Sequence, residues 1–357
     1  MALKALYPIS LQKETGVPHV ARQSADANET RLNENFKRIT EQLAELYNRK
    51  EFDPRIDQEI LLLRDAIRAL EDERHGRNLL HNWDFRNPVN QRGSSSYTAT
   101  TAKYAIDRWK IINGTLTVGS GHVRFATTSG VTDFKHIIQL TEQTLYAGQT
   151  YTLSMLAKVS SASGWVRFLP CTASLGGITG CDGLVFSVTN DYELISYTFT
   201  PTADVSNFGV EIVGNQDAAF DILMKSWKLE QGSVSTLLQD APADYGEQLA
   251  LCQRYFIAVP AYMPLACYLN STTSVNISVP VPVEMRINPT ITISGDVALF
   301  AGSKAVTLAN ASISNSSGHK KGGVVMVTLT ASSALSLTTY TSVIARPNGM
   351  WTLSADL

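Results

Sequence analysis

The sequence predicts a mainly β protein with an N-terminal α-helical coiled-coil stalk, its β part a jelly-roll β-sandwich followed by a second, small C-terminal β-domain. Three observations predict it. Apolar residues at alternating steps of four and three run through the N-terminal part of the 357-residue chain. Short alternating segments, punctuated by Gly, Asn, Asp and Ser, fill the middle. Charge falls from about a third of residues before position 77 to about one in twelve after position 251, where Ser, Thr and Asn take over.

Residues 1–23 read as an extended arm, because Tyr7-Pro8 and Val17-Pro18 disfavour helix at the residue before each proline. Leu3, Leu6, Ile9 and Leu11 have no helical partner pattern there, which suits docking onto another subunit or protein; a disordered terminus is the plainer alternative. The stalk, 24–77, holds two helices. Ser24 or Asp26 can cap the first, which carries Leu32, Phe36, Ile39, Leu43 and Leu46 on one seam. Asp53-Pro54 is a restart signal, and Ile56, Ile60, Leu63, Ile67 and Leu70 form the seam of the second helix, ended by Gly76. The register breaks near 49–54, where it would put Lys50 and Asp53 on the seam. One interrupted intermolecular coiled coil and a folded helical hairpin both remain open, as do a dimer and a trimer.

Residues 78–236 read as the jelly roll, with strands expected at Tyr151 to Val159, Trp165 to Leu169, Leu184 to Val188, Glu193 to Thr200 and Phe208 to Val213. A linker with one short helix, Tyr245 to Gln253, spans 237–253. The C-terminal β-domain, 254–357, is the expected receptor-binding head, with strands at Val275 to Val283, Thr290 to Ser294 and Gly323 to Thr330. No internal repeat of fixed period appears.

A net charge of −2 gives no electrostatic case for nucleic acid. No apolar run approaches a membrane span, so no membrane insertion is expected. Met1 to Val20 has no uninterrupted apolar stretch of the kind an export signal needs. The four cysteines are too sparse for a disulfide scaffold; Cys171 and Cys181 can be read as a cross-strand bridge or as ordinary buried thiols. Catalytic motifs are absent: there is no phosphate loop, no nucleophile elbow, and the six histidines never fall at paired ligand spacing. Paired carboxylates for glycoside cleavage meet only in a fold, and the last domain has only Glu284, Asp296 and Asp356 to offer.

The middle domain opens with NLLHNWDFRNPVNQRG, Asn78 to Gly93, continues through YAIDRW ending at Trp109, and closes with FDILMKSWKLEQGSVST, Phe220 to Thr236. CQRYF, Cys252 to Phe256, then leads to VPVPVEMRINPTITISG, Val279 to Gly295. This succession, with LNENF from Leu32 to Phe36, resembles phage tail-fibre and baseplate appendage proteins that carry a carbohydrate-binding-module-like jelly roll. The resemblance implies a homotrimer in the virion, joined to other tail or baseplate proteins through its N-terminus, assembled in the host cytoplasm, and binding host cell-surface glycan at the distal end. It also implies a structural calcium, for which Asp84 and Asp221 fall at the matching places. Trp83 stands where such relatives usually have glycine, and a salt bridge or turn hydrogen bonds account for the same two aspartates. No other cofactor is expected.

Receptor contact is expected on the C-terminal domain, poor in charge and rich in hydroxyl and amide groups. Tyr262, Tyr268, Tyr340 and Trp351 are its candidate stacking rings; His319 and Lys320 lie in a basic, glycine-flanked loop. Two other functions stay in view: a glycan-degrading, tailspike-like enzyme, and an architectural collar or head fibre with no receptor.

Overall fold

The computed structural model describes residues 34–35, 37–42, 76–128, 133–189, 191–215, 217–301, 304–308, 312–317, 323–330 and 343–356. The chain divides into two compact units, Met1–Asp72 and Glu73–Leu357. In the first, residues 34–35 and 37–42 are helical, Ile39 is buried, and Lys37 faces Glu41 one turn on at 4.0 Å. The other seam residues, Leu32, Phe36, Leu43, Leu46, Ile56, Ile60, Leu63, Ile67 and Leu70, lie outside the described residues.

The expected class is therefore corrected. The described chain is mainly β, its helices are short, and no long coiled-coil helix occurs among the described residues. The physical reason lies in what a heptad pattern states. It fixes which face of a helix is apolar, and any amphipathic helix packed on a neighbour has such a face.

The second unit begins with a β-sandwich. Its strands are β1 Ser96–Ala99, β2 Lys103–Tyr104, β3 Trp109–Ile112, β4 Gly114–Gly119, β5 His122–Ala126, β6 Lys135–Leu140 and β7 Thr144–Leu145. They continue with β8 Tyr151–Ser163, β9 Val166–Cys171, β10 Leu184–Val185, β11 Glu193–Phe199, β12 Val205–Ser206, β13 Gly209–Gly214 and β14 Ala219–Gln231. Two six-stranded sheets result, ordered β1-β4-β5-β14-β8-β11 and β10-β9-β13-β6-β3-β2. Their pairings are antiparallel, which lets alternate residues fill one shared core. At its centre Trp227 meets Trp109 and Phe168 edge to face, at 4.8 and 4.9 Å between centroids, and Phe85 meets Trp109 at 5.0 Å. These tryptophans pack the core, and the Trp109 indole donates to the Asn82 carbonyl at 2.9 Å.

The segment 237–253, expected as a linker, is tied down. Buried Lys228 donates to Asp240 at 2.7 Å and to Thr236 at 2.7 Å. Helix α1, Tyr245–Gln253, is capped by Asp244, whose side chain accepts from the Glu247 amide at 2.8 Å. Ten further strands follow: β15 Phe256–Val259, β16 Leu265–Ser271, β17 Ser274–Val281, β18 Thr290–Thr292, β19 Val297–Ala301, β20 Lys304–Leu308, β21 Ser312–Ser317, β22 Gly323–Thr330, β23 Val343–Pro347 and β24 Trp351–Ser354. They form a three-stranded sheet, β15-β24-β18, and a seven-stranded sheet, β20-β19-β23-β16-β17-β22-β21, around a second core.

Residues of three of the motifs that carried the resemblance, in 78–93, at Asp107 and in 252–256, sit where the two lobes meet. The Asn82 side chain accepts from the Val89 amide and donates to the Val89 and Asp107 carbonyls, while its backbone amide donates to Gln248 of α1. Asp107 accepts twice from Gln91, and Gln91 donates on to the Phe256 carbonyl. Arg92 stacks on Phe256, 3.8 Å from the ring centroid, and pairs with Asp356 at 2.7 Å. Glu142 accepts from Arg254 and the Tyr255 hydroxyl. These residues hold the sandwich to the C-terminal lobe.

Candidate functional site

The sheet containing β6 and β13 turns alternate residues away from the core, and the register fixes which ones. Opposite Gly209 stand Cys171 and Leu140; opposite Glu211 stand Leu169 and Ile138; opposite Val213 stand Arg167 and His136. Lys110 and Ile112 extend the last two rows onto β3. Beyond the ends of the strands, the Asn215 amide donates to the Trp165 carbonyl, and Asn113 donates to the Phe134 carbonyl.

One end of this face is closed. Ile138, Leu140 and Cys171 form a small apolar cluster of their own, and Leu175 packs against it. Leu175 reaches it from left-handed backbone, φ 65°, in a turn where its amide donates to the Thr172 carbonyl. A non-glycine residue held there costs about 1–2 kcal/mol, which the contact with the cluster offsets. Gly209 leaves the room: a Cβ there would stand 2.9 Å from the Cys171 sulfur and 2.9 Å from Leu140.

The other end is open and aromatic. Phe134, 44 % exposed, and half-buried Trp165 face each other at 5.8 Å between centroids, tilted by 43°. Exposed Arg167 lies over the Trp165 ring at 4.9 Å, and makes no hydrogen bond or ion pair among the described residues. Between the two ends, His136 Nδ1 is 2.6 Å from the Glu211 carboxylate. The open end thus offers two ring faces, a guanidinium with free donors and a buried imidazole–carboxylate pair. Such a set stacks on apolar ring faces and hydrogen-bonds hydroxyls or anionic groups.

The residues expected from sequence are distributed elsewhere. Asp84 is held by Arg86 at 2.6 and 2.7 Å and by the Ala243 amide at 3.0 Å; Asp221 pairs with Arg124 at 2.6 and 2.8 Å. Asp84 bridges Ser226, five residues along β14 from Asp221, so about 17 Å of strand separates the two. They do not share a site, and no cluster of three His, Cys, Asp or Glu side chains suited to a metal occurs among the described residues. Trp351 is a core residue of the C-terminal lobe, fully buried, and cannot stack on a ligand. Tyr262 and Tyr268 are 69 % and 50 % exposed, and the Tyr268 hydroxyl accepts from Asn276 at 2.7 Å. His319, Lys320 and Tyr340 lie outside the described residues. All four cysteines are free thiols, Cys171 and Cys181 included.

No protein-family model matches the chain, and no curated protein does. Solved structures similar to it include carbohydrate-binding modules. The second N-terminal cellulose-binding domain of Cellulomonas fimi β-1,4-glucanase C has a TM-score of 0.32 at 14 % identity, covering 44 % of this chain and 95 % of that one. The CBM22-1 xylan-binding domain of Paenibacillus barcinonensis Xyn10C gives 0.29 at 13 %, covering 45 % and 99 %. The CBM22-1–CBM22-2 tandem of the same enzyme gives 0.29 at 12 %, covering 80 % and 99 %. At TM-scores this low the likeness settles neither fold nor ligand, and the β-sandwich stands on its own strand register.

Proposed function

We propose that this chain is a non-catalytic, glycan-binding subunit of a phage tail fibre or baseplate appendage. The observation that carries the binding is the open end of the outward sheet face, with Phe134 and Trp165 at 5.8 Å and Arg167 stacked beside them. The virion setting is supported by the motif succession between Asn78 and Gly295, which resembles that of such appendages. In that setting the chain works as a homotrimer, attached to other tail or baseplate proteins through residues 1–23. Weak single sites then suffice, because several copies meet a repetitive surface at once.

Removing either ring leaves the fold, since both stand outside the core, and takes away the platform. Trp165→Ala and Phe134→Ala are expected to lower binding to host-cell polysaccharide about tenfold or more each, with unfolding unchanged. Unaltered binding in both variants removes the proposal. Glu211 is the one carboxylate that the described strands turn onto this face, and glycoside cleavage needs two. Release of reducing sugar from host polysaccharide would establish the enzyme reading instead.

A second reading puts receptor contact on the C-terminal lobe. Tyr262 favours it: the ring is exposed, and its backbone is fixed at φ 64° by a 2.7 Å hydrogen bond to the Pro347 carbonyl. Binding that survives loss of Trp165 and Phe134 but falls with Tyr262→Ala selects that lobe.

A further inference from the structure

We infer that the sandwich face selects acidic saccharides, chains whose sugar rings carry carboxylate or phosphodiester groups. The inference rests on the glycan-binding reading above and names its ligand class.

On the strands of the face cations outnumber anions, and the exposed Asp133 and Asp217 stand in the loops that flank the open end. Among the side chains that the register turns outward, Arg167 and Lys110 are cationic and Glu211 alone is anionic. Glu211 is buried, and its carboxylate is engaged by His136 at 2.6 Å. Arg167 is the opposite case. It is exposed and without an ion-pair partner among the described residues, and its guanidinium lies over the Trp165 ring, 4.9 Å from the centroid. A guanidinium resting on an indole is oriented before the ligand arrives, and its edge keeps the forked donors that match a carboxylate or phosphate. Stacking a pyranose on Trp165 or Phe134 brings the substituents of that ring, or of the next one, beside this edge.

Lys110 gives the face a second cation. Three strand spacings and one row along the sheet separate it from Arg167, about 16 Å. Lys110 also lies 4.8 Å from the Tyr104 ring, and burial lowers its pKa below the ordinary lysine value. Arg167 therefore carries the larger share of the selection.

The test titrates the full chain with three oligosaccharides of matched length, a polyuronate, a phosphodiester-linked polyol-sugar chain and a neutral xylan fragment, and with polyglutamate as a charged chain lacking sugar. The wild type is expected to bind one or both acidic saccharides about tenfold tighter than the neutral one, a preference that shrinks as salt is raised. Which of the two acidic chains binds identifies the source of the charge. Arg167→Gln should abolish the preference, bringing acidic and neutral chains to the same affinity, while Trp165→Ala weakens both and keeps their ratio. Equal affinity for acidic and neutral chains, unchanged by Arg167→Gln, overturns the acidic class and leaves the glycan-binding reading standing. Polyglutamate binding as tightly as the saccharides overturns the class as well, because charge alone then accounts for it. If no saccharide binds, both readings fall.

Discussion

Asp107 joins the chemistry of one side chain to the stability of the molecule. It is buried at the junction of the lobes, and burial pushes its carboxyl up to about 6, against the opposing pull of Arg92 and of hydrogen bonds from Gln91. The unfolded chain releases that proton near pH 4, so between about pH 4 and 6 the folded state binds more protons than the unfolded one. The stabilising contribution is fully present below about pH 4 and is lost as pH rises through about 6, on the order of 3 kcal/mol in all. Asp107→Asn cannot titrate. The difference in unfolding free energy between wild type and variant should therefore shift by about that amount against the wild type between about pH 4 and 7, read by denaturant titration of both at each pH. An unchanged slope assigns the pH dependence to other groups. His81 acts in the opposite sense: burial and the nearby Arg108 hold its imidazole down to about 3, so between about pH 3 and 6.5 the unfolded chain binds the extra proton and stability rises with pH. None of this could be read from the sequence: Asp107 gains its environment from Phe256 and Asp356, far along the chain, whereas Trp109 and Trp227 are legible as core from strand alternation alone.

At the scale of elements, local signals succeeded where the element makes its own contacts. Tyr245–Gln253 is helical because Asp244 caps it and Glu247 places an acid in the first turn, which outweighs Gly246; its end comes where Arg254 begins the run into β15. Asp244→Ala should cost about 1 kcal/mol by leaving the Glu247 amide unpaired, measurable as a lowered denaturation midpoint with an unchanged slope. The expected strands at Val275 and Gly323 meet as β17 and β22, paired from Ser274 opposite Thr330 to Val281 opposite Gly323. Two-residue strands such as β7 and β12 carry no periodicity and were not legible, whereas the strand expected at Leu184 to Val188 holds β10. The heptad steps told which face of the N-terminal helix is apolar and nothing of how long a continuous helix runs. The candidate face escaped for a related reason. Its outward positions on β6 and β13 are as buried as the inward ones, so alternation is lost, and His136 and Glu211 meet across 75 positions. Trp165, set after Gly164 at the head of β9, was the one visible signal.

For the second unit as a whole, the decisive question is whether its two cores unfold together. Each lobe has a separate apolar cluster, and polar ties run between them: Arg92 to Asp356, Gln91 to the Phe256 carbonyl, and Glu142 to Arg254. Each lobe also braces its own side of the contact. In the sandwich the Asp107 amide donates to the Val89 carbonyl; in the C-terminal lobe the Ala355 amide donates to the Tyr255 carbonyl, and Arg286 donates to the Ala355 carbonyl at 2.8 Å. Arg92 is the centre. Its side chain lies between Tyr104 and Phe256 and reaches Asp107 and Asp356, carboxylates from both lobes. Removing one partner of a buried pair costs about 3–5 kcal/mol, because the charge left behind has no compensation. Calorimetry of the wild type should give one transition for the second unit, while Arg92→Met, which keeps the apolar stem and removes the charge, should lower it and split it in two. The Asp356→Asn variant, leaving Arg92 with Asp107, should fall between them. If the wild type already melts in two steps, the lobes are not coupled; if Arg92→Met melts in one step at the same temperature, other contacts than this clamp couple them.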